Sequence, residues 1–152
     1  MSMRKLRESK RRSSNKMFKL SIVTPEKIFK EKDVNSIIAP GSEGYLGVLT
    51  NHAPLITTVV PGKLTTKDKN NQEKNYAISG GFLEVYKNQV TILADSIESL
   101  ENIDIERSQK ALDRAKKRLK SKDPGIDIPR ASAAVRRALN RIKIYDSYIK
   151  RM

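Results

Sequence analysis

Four arginines in the C-terminal third carry the spacing most suggestive of chemistry. Arg107 and Arg114 are seven residues apart and Arg137 and Arg141 four apart, so each pair falls on one face of a helix. Two such helices folded together would aim four guanidinium groups at one spot. Those cations repel unless an anion or a carboxylate sits between them, and phosphate suits the planar donor fork of guanidinium. By spacing alone, a solvated basic face rimmed by Lys116, Lys117 and Arg118 is the simpler account.

Other chemistry finds little support. The chain of 152 residues has no Cys, no Trp and one His, which removes disulfides, thiolate metal sites and a Cys nucleophile. A zinc site would need one His and scattered carboxylates. His52 lies between Asn51 and Ala53-Pro54 with no acid or nucleophile at a recognisable spacing, so it reads as a turn histidine. The stretch Gly41-Ser42-Glu43-Gly44-Tyr45-Leu46-Gly47 lacks the Gly-Lys-Ser/Thr ending of a phosphate loop, and no helix follows it. Its glycines fit tight turns and bulges of a sheet. The balance favours a binding or regulatory protein over an independent enzyme.

The elements that must position these residues come in two kinds. From Phe18 the pattern alternates, with Phe18, Leu20 and Ile22 on one side and Lys19 and Ser21 on the other, which predicts a strand. Similar runs follow at Val34–Ala39, Tyr45–Leu49, Leu55–Val60, Lys63–Thr66, Asn75–Ser79, Phe82–Tyr86 and Gln89–Ala94, separated by Pro, Gly, Asn and Asp turns. Short, evenly spaced strands predict a β-sandwich or barrel, and no segment is long enough to demand a parallel crossover. After Asp95 the period changes. Ser108, Ala111, Leu112, Ala115 and Leu119 predict a helix capped by Asp104, ending before Lys122-Asp123-Pro124-Gly125. A second helix is predicted from about Pro129, with a seam of Ala131, Val135, Ala138, Leu139, Ile142, Tyr145 and Ile149. The short connection makes them antiparallel, and their alanine-rich seams predict a weakly held hairpin.

Charge follows the same division. Residues 1–16 hold seven basic and one acidic side chain, residues 17–100 nine of each, and residues 101–152 fifteen basic and seven acidic, for a net charge of +14. Two basic arms flank a neutral body, which points to an acidic partner. The first arm lacks the apolar core of a secretory signal and the repeated apolar face of a transit peptide, and it reads as a disordered, dispensable extension, with Met17 the expected functional start. No apolar run approaches the roughly 18 residues of a membrane span, so a soluble or peripheral protein is expected. A nucleic-acid-binding protein is the alternative that this charge allows. Against it, the three Phe and five Tyr form no base-stacking pattern, and the charge avoids the sandwich.

Four motifs in order then carry a resemblance: Gly47-Val48-Leu49-Thr50-Asn51-His52-Ala53-Pro54-Leu55, Gly80-Gly81-Phe82-Leu83-Glu84-Val85, Val90-Thr91-Ile92-Leu93-Ala94-Asp95 and Ile103-Asp104-Ile105-Glu106-Arg107-Ser108. From about Met17 to Arg141 the chain resembles the epsilon-subunit family of the bacterial proton-translocating ATP synthases. The resemblance implies a mainly β chain. A ten-stranded β-sandwich over residues 17–100 is followed by an antiparallel two-helix hairpin over 101–152, with 1–16 as an extension. It implies a non-catalytic subunit of the central stalk, whose sandwich packs on the gamma subunit and the membrane ring of c subunits. It also implies a peripheral place at the cytoplasmic face of the bacterial plasma membrane, with no nucleic-acid partner.

The hairpin of such a family is implied to switch between a compact state on the sandwich and an extended state along gamma. In the extended state its basic side chains meet the alpha and beta subunits and restrain ATP hydrolysis. No cofactor is obligatory, but a regulatory ATP is implied for the compact state of some members. The matching positions here are Ile103, Asp104 and Arg107 of the first-helix motif, Arg114 one heptad on, Arg137 and Arg141 of the second helix, and Glu84 from the sandwich. Ser108 stands where alanine is usual, and its slightly larger side chain is expected to weaken adenine packing rather than forbid binding.

Overall fold

The computed structural model describes Met3 and residues 17–149; the expected disordered extension over 1–16, Met3 aside, lies outside the described residues, as do residues 150–152. Nine strands run in sequence: β1 (Phe18–Val23), β2 (Ile28–Gly41), β3 (Gly44–Leu49), β4 (Leu55–Val59), β5 (Gly62–Asp68), β6 (Glu73–Ile78), β7 (Gly81–Tyr86), β8 (Gln89–Ala94) and β9 (Ile97–Ser99). A short 3-10 turn over Leu100–Asn102 leads into α1 (Ile105–Lys120) and α2 (Ile128–Ile144), which ends in a π turn over Tyr145–Ile149.

Alternation decides which side of each strand is buried. Phe18, Leu20 and Ile22 of β1 point inward, as do Leu83 and Val85 of β7 and Val90, Ile92 and Ala94 of β8. With Val34, Ile37, Val48, Val59, Leu64 and Ile78 they form one continuous core. Each large aliphatic side chain so buried contributes roughly 1.5–3 kcal/mol. β2 serves both halves of the sandwich. Its first part pairs with β1 and its second with β3 and β5, with a register shift between Val34 and Ser36 beside Asp33 at φ 60°. Counted once in each sheet, it makes the ten strands of the sandwich.

Three details differ from the pattern read in the sequence. β1 lies parallel to β8, Lys19 beside Gln89 through Val23 beside Leu93, and the crossover between them is made by the six intervening strands instead of a helix. β9 is only three residues long, too short to show an alternation, and pairs with Tyr76–Ile78 of β6. In the hairpin, Leu119 and Leu139 turn toward solvent at 39% and 46% exposure, while Ile144, outside the expected seam, is buried.

Helix boundaries follow local chemistry. Asp104 Oδ1 accepts from Arg107 N at 3.1 Å and Asp127 Oδ1 accepts from Arg130 N at 3.1 Å, so an aspartate caps each helix. Glu106 in the first turn of α1 and Lys117, Arg118 and Lys120 in its last turn complement the helix dipole. Between the helices Asp123 Oδ1 accepts from Gly125 N at 2.9 Å and stabilises the reversal. The hairpin seats on the sandwich through a small second cluster of Ala77, Leu100 and Ile144, with Ile103 packed against it.

Candidate functional site

The strand β9, the 3-10 turn and the cap at Asp104 place the first pair of arginines. Ser108 is buried under the first turn of α1, and its Oγ donates to Asp104 O at 2.9 Å. Arg107 and Arg114 are exposed and flank an open groove of about 490 Å3 with Asp104, Glu106, Lys110 and Asp113. Three cations face three carboxylates there, so the groove is electrically balanced and solvated.

Arg137 and Arg141 lie elsewhere. They border a nearly closed gap of about 10 Å3 between α2 and the sandwich, with Ala77, Ser79, Ser96, Glu98 and Asn140. Arg141 Nε donates to Glu98 Oε2 at 2.5 Å, and Asn140 Nδ2 donates to Ile78 O at 3.1 Å. Ser79 and Ser96 hydroxyls stand 2.7 Å apart beside them. The four guanidinium groups are thus divided between two places, a helix flank and a helix–sandwich seam. The expected single convergence is not the arrangement of this conformation.

Glu84 does not join either group. It is exposed on β7, opposite Ile56 of β4 and Thr91 of β8, on the outer face of the sandwich. The carboxylate that meets Arg141 is Glu98. The signal for it in the sequence is position: it lies on the segment that feeds α1, six residues before the capping Asp104. Ile103 is half-buried and belongs to the apolar seat of the hairpin.

The remaining features carry no reaction. His52 Nδ1 lies 2.7 Å from Ala53 O within a turn that includes Asn51 at φ 58°. Gly44, at φ 121°, closes the β2–β3 turn, a backbone conformation that side chains disfavour. Among the described residues no three His, Asp or Glu side chains gather as metal ligands. No helix among them is long and apolar enough to cross a membrane.

Two family models match the chain in order. Residues 17–100 match the β-sandwich domain of the ATP synthase delta/epsilon chain, and residues 101–146 match its long α-helix domain. The ATP synthase epsilon chain of Moorella thermoacetica is 48% identical over 107 residues, 70% of this chain and 80% of that protein. The ATP synthase epsilon chain of Carboxydothermus hydrogenoformans is 50% identical over 106 residues, 70% of this chain and 78% of that protein. Among solved structures, a chain of the Euglena gracilis mitochondrial ATP synthase OSCP/F1/c-ring assembly is similar at a TM-score of 0.65 and 26% identity, covering 88% of this chain and 81% of that one. A chain of the Tetrahymena thermophila mitochondrial ATP synthase central stalk and c-ring shares the fold at a TM-score of 0.52 and 15% identity, covering 86% of this chain and 95% of that one. With sandwich and helical domains both matched in sequence and in architecture, the chain belongs to the ATP synthase delta/epsilon chain family.

Proposed function

We propose that the chain is the epsilon subunit of the central stalk of a bacterial ATP synthase, a rotor component that performs no bond chemistry itself. The sandwich is the anchor, and the hairpin is a movable arm that restrains ATP hydrolysis. The observation that carries this reading is the contrast between the two seats. The sandwich closes on a core of fifteen buried residues, whereas the hairpin rests on it through the small cluster of Ala77, Leu100 and Ile144, one side-chain hydrogen bond to backbone, one ion pair and one cation–ring contact. An element held so lightly can leave at modest cost, which a two-state regulator requires.

The anchor has a surface suited to a stalk partner. Ile56, Phe82 and Leu93 lie together on the outer face of β4, β7 and β8, and Ile56 is 76% exposed. That apolar face is offered to gamma, with the c-subunit ring completing the contact, and the complex holds the chain at the cytoplasmic face of the membrane. The released arm brings its basic surface to the alpha and beta subunits. Single ion pairs at such a wet interface contribute only ~0–1 kcal/mol, so several act together. Co-purification from membranes tests the assignment. Recovery with gamma and c subunits is expected, and an ATPase of unaltered rate after deletion of residues 101–152 would remove the regulatory role.

A regulatory ATP belongs to the same reading. The support for it is the pairing of guanidinium groups on both helices, Arg107 with Arg114 and Arg137 with Arg141, with Asp104 and Ser108 at the start of α1. Binding requires the phosphates to replace Glu98 on Arg141. Calorimetry of the full chain with ATP is the direct test.

A further inference from the structure

The end of α2 meets the sandwich a second time, away from all four arginines. Asn140, Lys143, Ile144, Ser147 and Tyr148 recur at helical spacing and face the turns around Pro40–Tyr45 and Val60–Gly62 across a cavity of about 200 Å3. Those turns pack closely into a platform. A Cβ on Gly62 would stand 2.7 Å from Pro40 Cβ, and Tyr45 Oη accepts from Lys63 N at 3.3 Å. Tyr148 reaches the rim of this platform, where the Lys63 ammonium stands 3.7 Å from the centre of its ring. The winding changes to π over Tyr145–Ile149, the kind of local irregularity that recurs at functional positions.

We propose that Lys63 and Tyr148 form a clasp that sets how often the hairpin lifts from the sandwich. The proposal rests on the reading of the hairpin as a mobile arm and names the contact that governs it. The ion pair at Arg141 and the apolar seat at Ile144 come earlier along the helix; Tyr148 lies beyond them, in the π turn that follows. Peeling α2 away from its C-terminal end must therefore break the clasp first. Lys63 is half-buried on β5, beside the tightly packed Gly62, so its backbone belongs to the sandwich and the ring to the arm. Tyr148 is 39% exposed, so water reaches the contact and the release is reversible.

The attraction is that of a cation for the face of an aromatic ring, and this fixes which substitutions matter. Tyr148→Phe and Lys63→Arg keep it, whereas Tyr148→Leu and Lys63→Gln remove it. Amide hydrogen exchange across α2 in the full chain reads the opening directly. Tyr148→Leu and Lys63→Gln are expected to raise opening about two- to fivefold, with the double variant no worse than the worse single one and the melting of the sandwich unchanged. Tyr148→Phe and Lys63→Arg are expected to exchange as the unaltered chain does. Unchanged exchange in both Tyr148→Leu and Lys63→Gln, or equal loss in Tyr148→Phe and Tyr148→Leu, overturns the clasp. Faster opening in the clasp variants with an unaltered ATPase rate in the reconstituted complex leaves the clasp standing and rejects the mobile-arm reading instead.

Discussion

Arg141 donates through Nε to Glu98 Oε2 at 2.5 Å, and so ties the second helix to the strand that feeds the first. The chain runs from β9 through α1 and back along α2 to β9, so this pair closes the base of the hairpin. Both side chains are about one-third exposed, at 32% and 30%. Glu98→Gln is expected to loosen the docked hairpin by about 1 kcal/mol, seen as faster amide exchange in α2 with no change in the sandwich. Glu84→Gln is expected to change neither, and an equal effect from it would refute the geometric assignment.

For the nucleotide reading, Arg107→Ala and Arg114→Ala should each weaken ATP binding by about tenfold, as loss of a charged hydrogen-bond partner implies. Asp104→Asn tests the carboxylate of the same groove, because an asparagine still caps α1 while removing the charge, and a changed affinity is expected there too. Calorimetry that finds the same affinity in all three variants and in the unaltered chain would take the phosphates away from this helix.

Gly81 is the position in the sandwich least able to accept a side chain. A Cβ there would stand 1.7 Å from Leu93 O and 2.8 Å from its carbonyl carbon, both backbone atoms of the neighbouring strand. Gly81→Ala must push β7 and β8 apart, and a loss of ~3 kcal/mol or more is expected from overpacking at a site that cannot yield. Chemical denaturation would measure it. A stable variant would mean that the register between these strands differs from Gly81 opposite Ala94.

Alkaline stability should depend on the place where Glu31 of β2 reaches Lys74 of β6. Lys74 Nζ donates to Glu31 Oε1 at 3.0 Å, and that hydrogen bond, followed by the carboxylate's charge, lifts the lysine above its usual value. Burial first, and then the charge of Glu31, pushes the Tyr76 phenol up as well. Both groups hold their protons more tightly when folded, so the folded state binds more protons at high pH. Their contribution is complete below the unfolded values of 10.0 and 10.5 and is lost as pH rises through the folded ones. The melting temperature should fall above about pH 10, and the fall should be shallower in Lys74→Gln with Tyr76→Phe. An identical pH profile in that variant would place the alkaline transition elsewhere.

Much of this fold is legible in the sequence. The period-two runs at Phe18–Ile22 and Phe82–Tyr86 become β1 and β7, and the cap at Asp104 is where the helical period begins. What escaped has physical causes. Ile97–Ser99 is too short to reveal an alternation, and the parallel register of β1 on β8 depends on contacts some seventy residues apart along the chain. The arginine spacing correctly pairs each set on its own helix, but helical period says nothing about how two helices rotate on a sheet. Leu139 turned outward and Ile144 inward for the same reason: α2 must satisfy both α1 and the sandwich, and one seam cannot describe two neighbours. Glu98 was hidden because a glutamate on an edge strand has no pattern of its own until Arg141 comes to it.

The position of β1 has a consequence for how the chain comes to be made. Its residues lie between β2, the next segment to emerge from the ribosome, and β8, which ends at Ala94. The opening stretch of the fold therefore has one neighbour at once and waits for the other until nearly the whole sandwich has been synthesised. Closure across so long a separation is slow compared with local hairpin formation. The helices, built from local contacts, can wind while that wait ends, but their seat needs β9 paired on β6, which brings Ala77 beside Leu100.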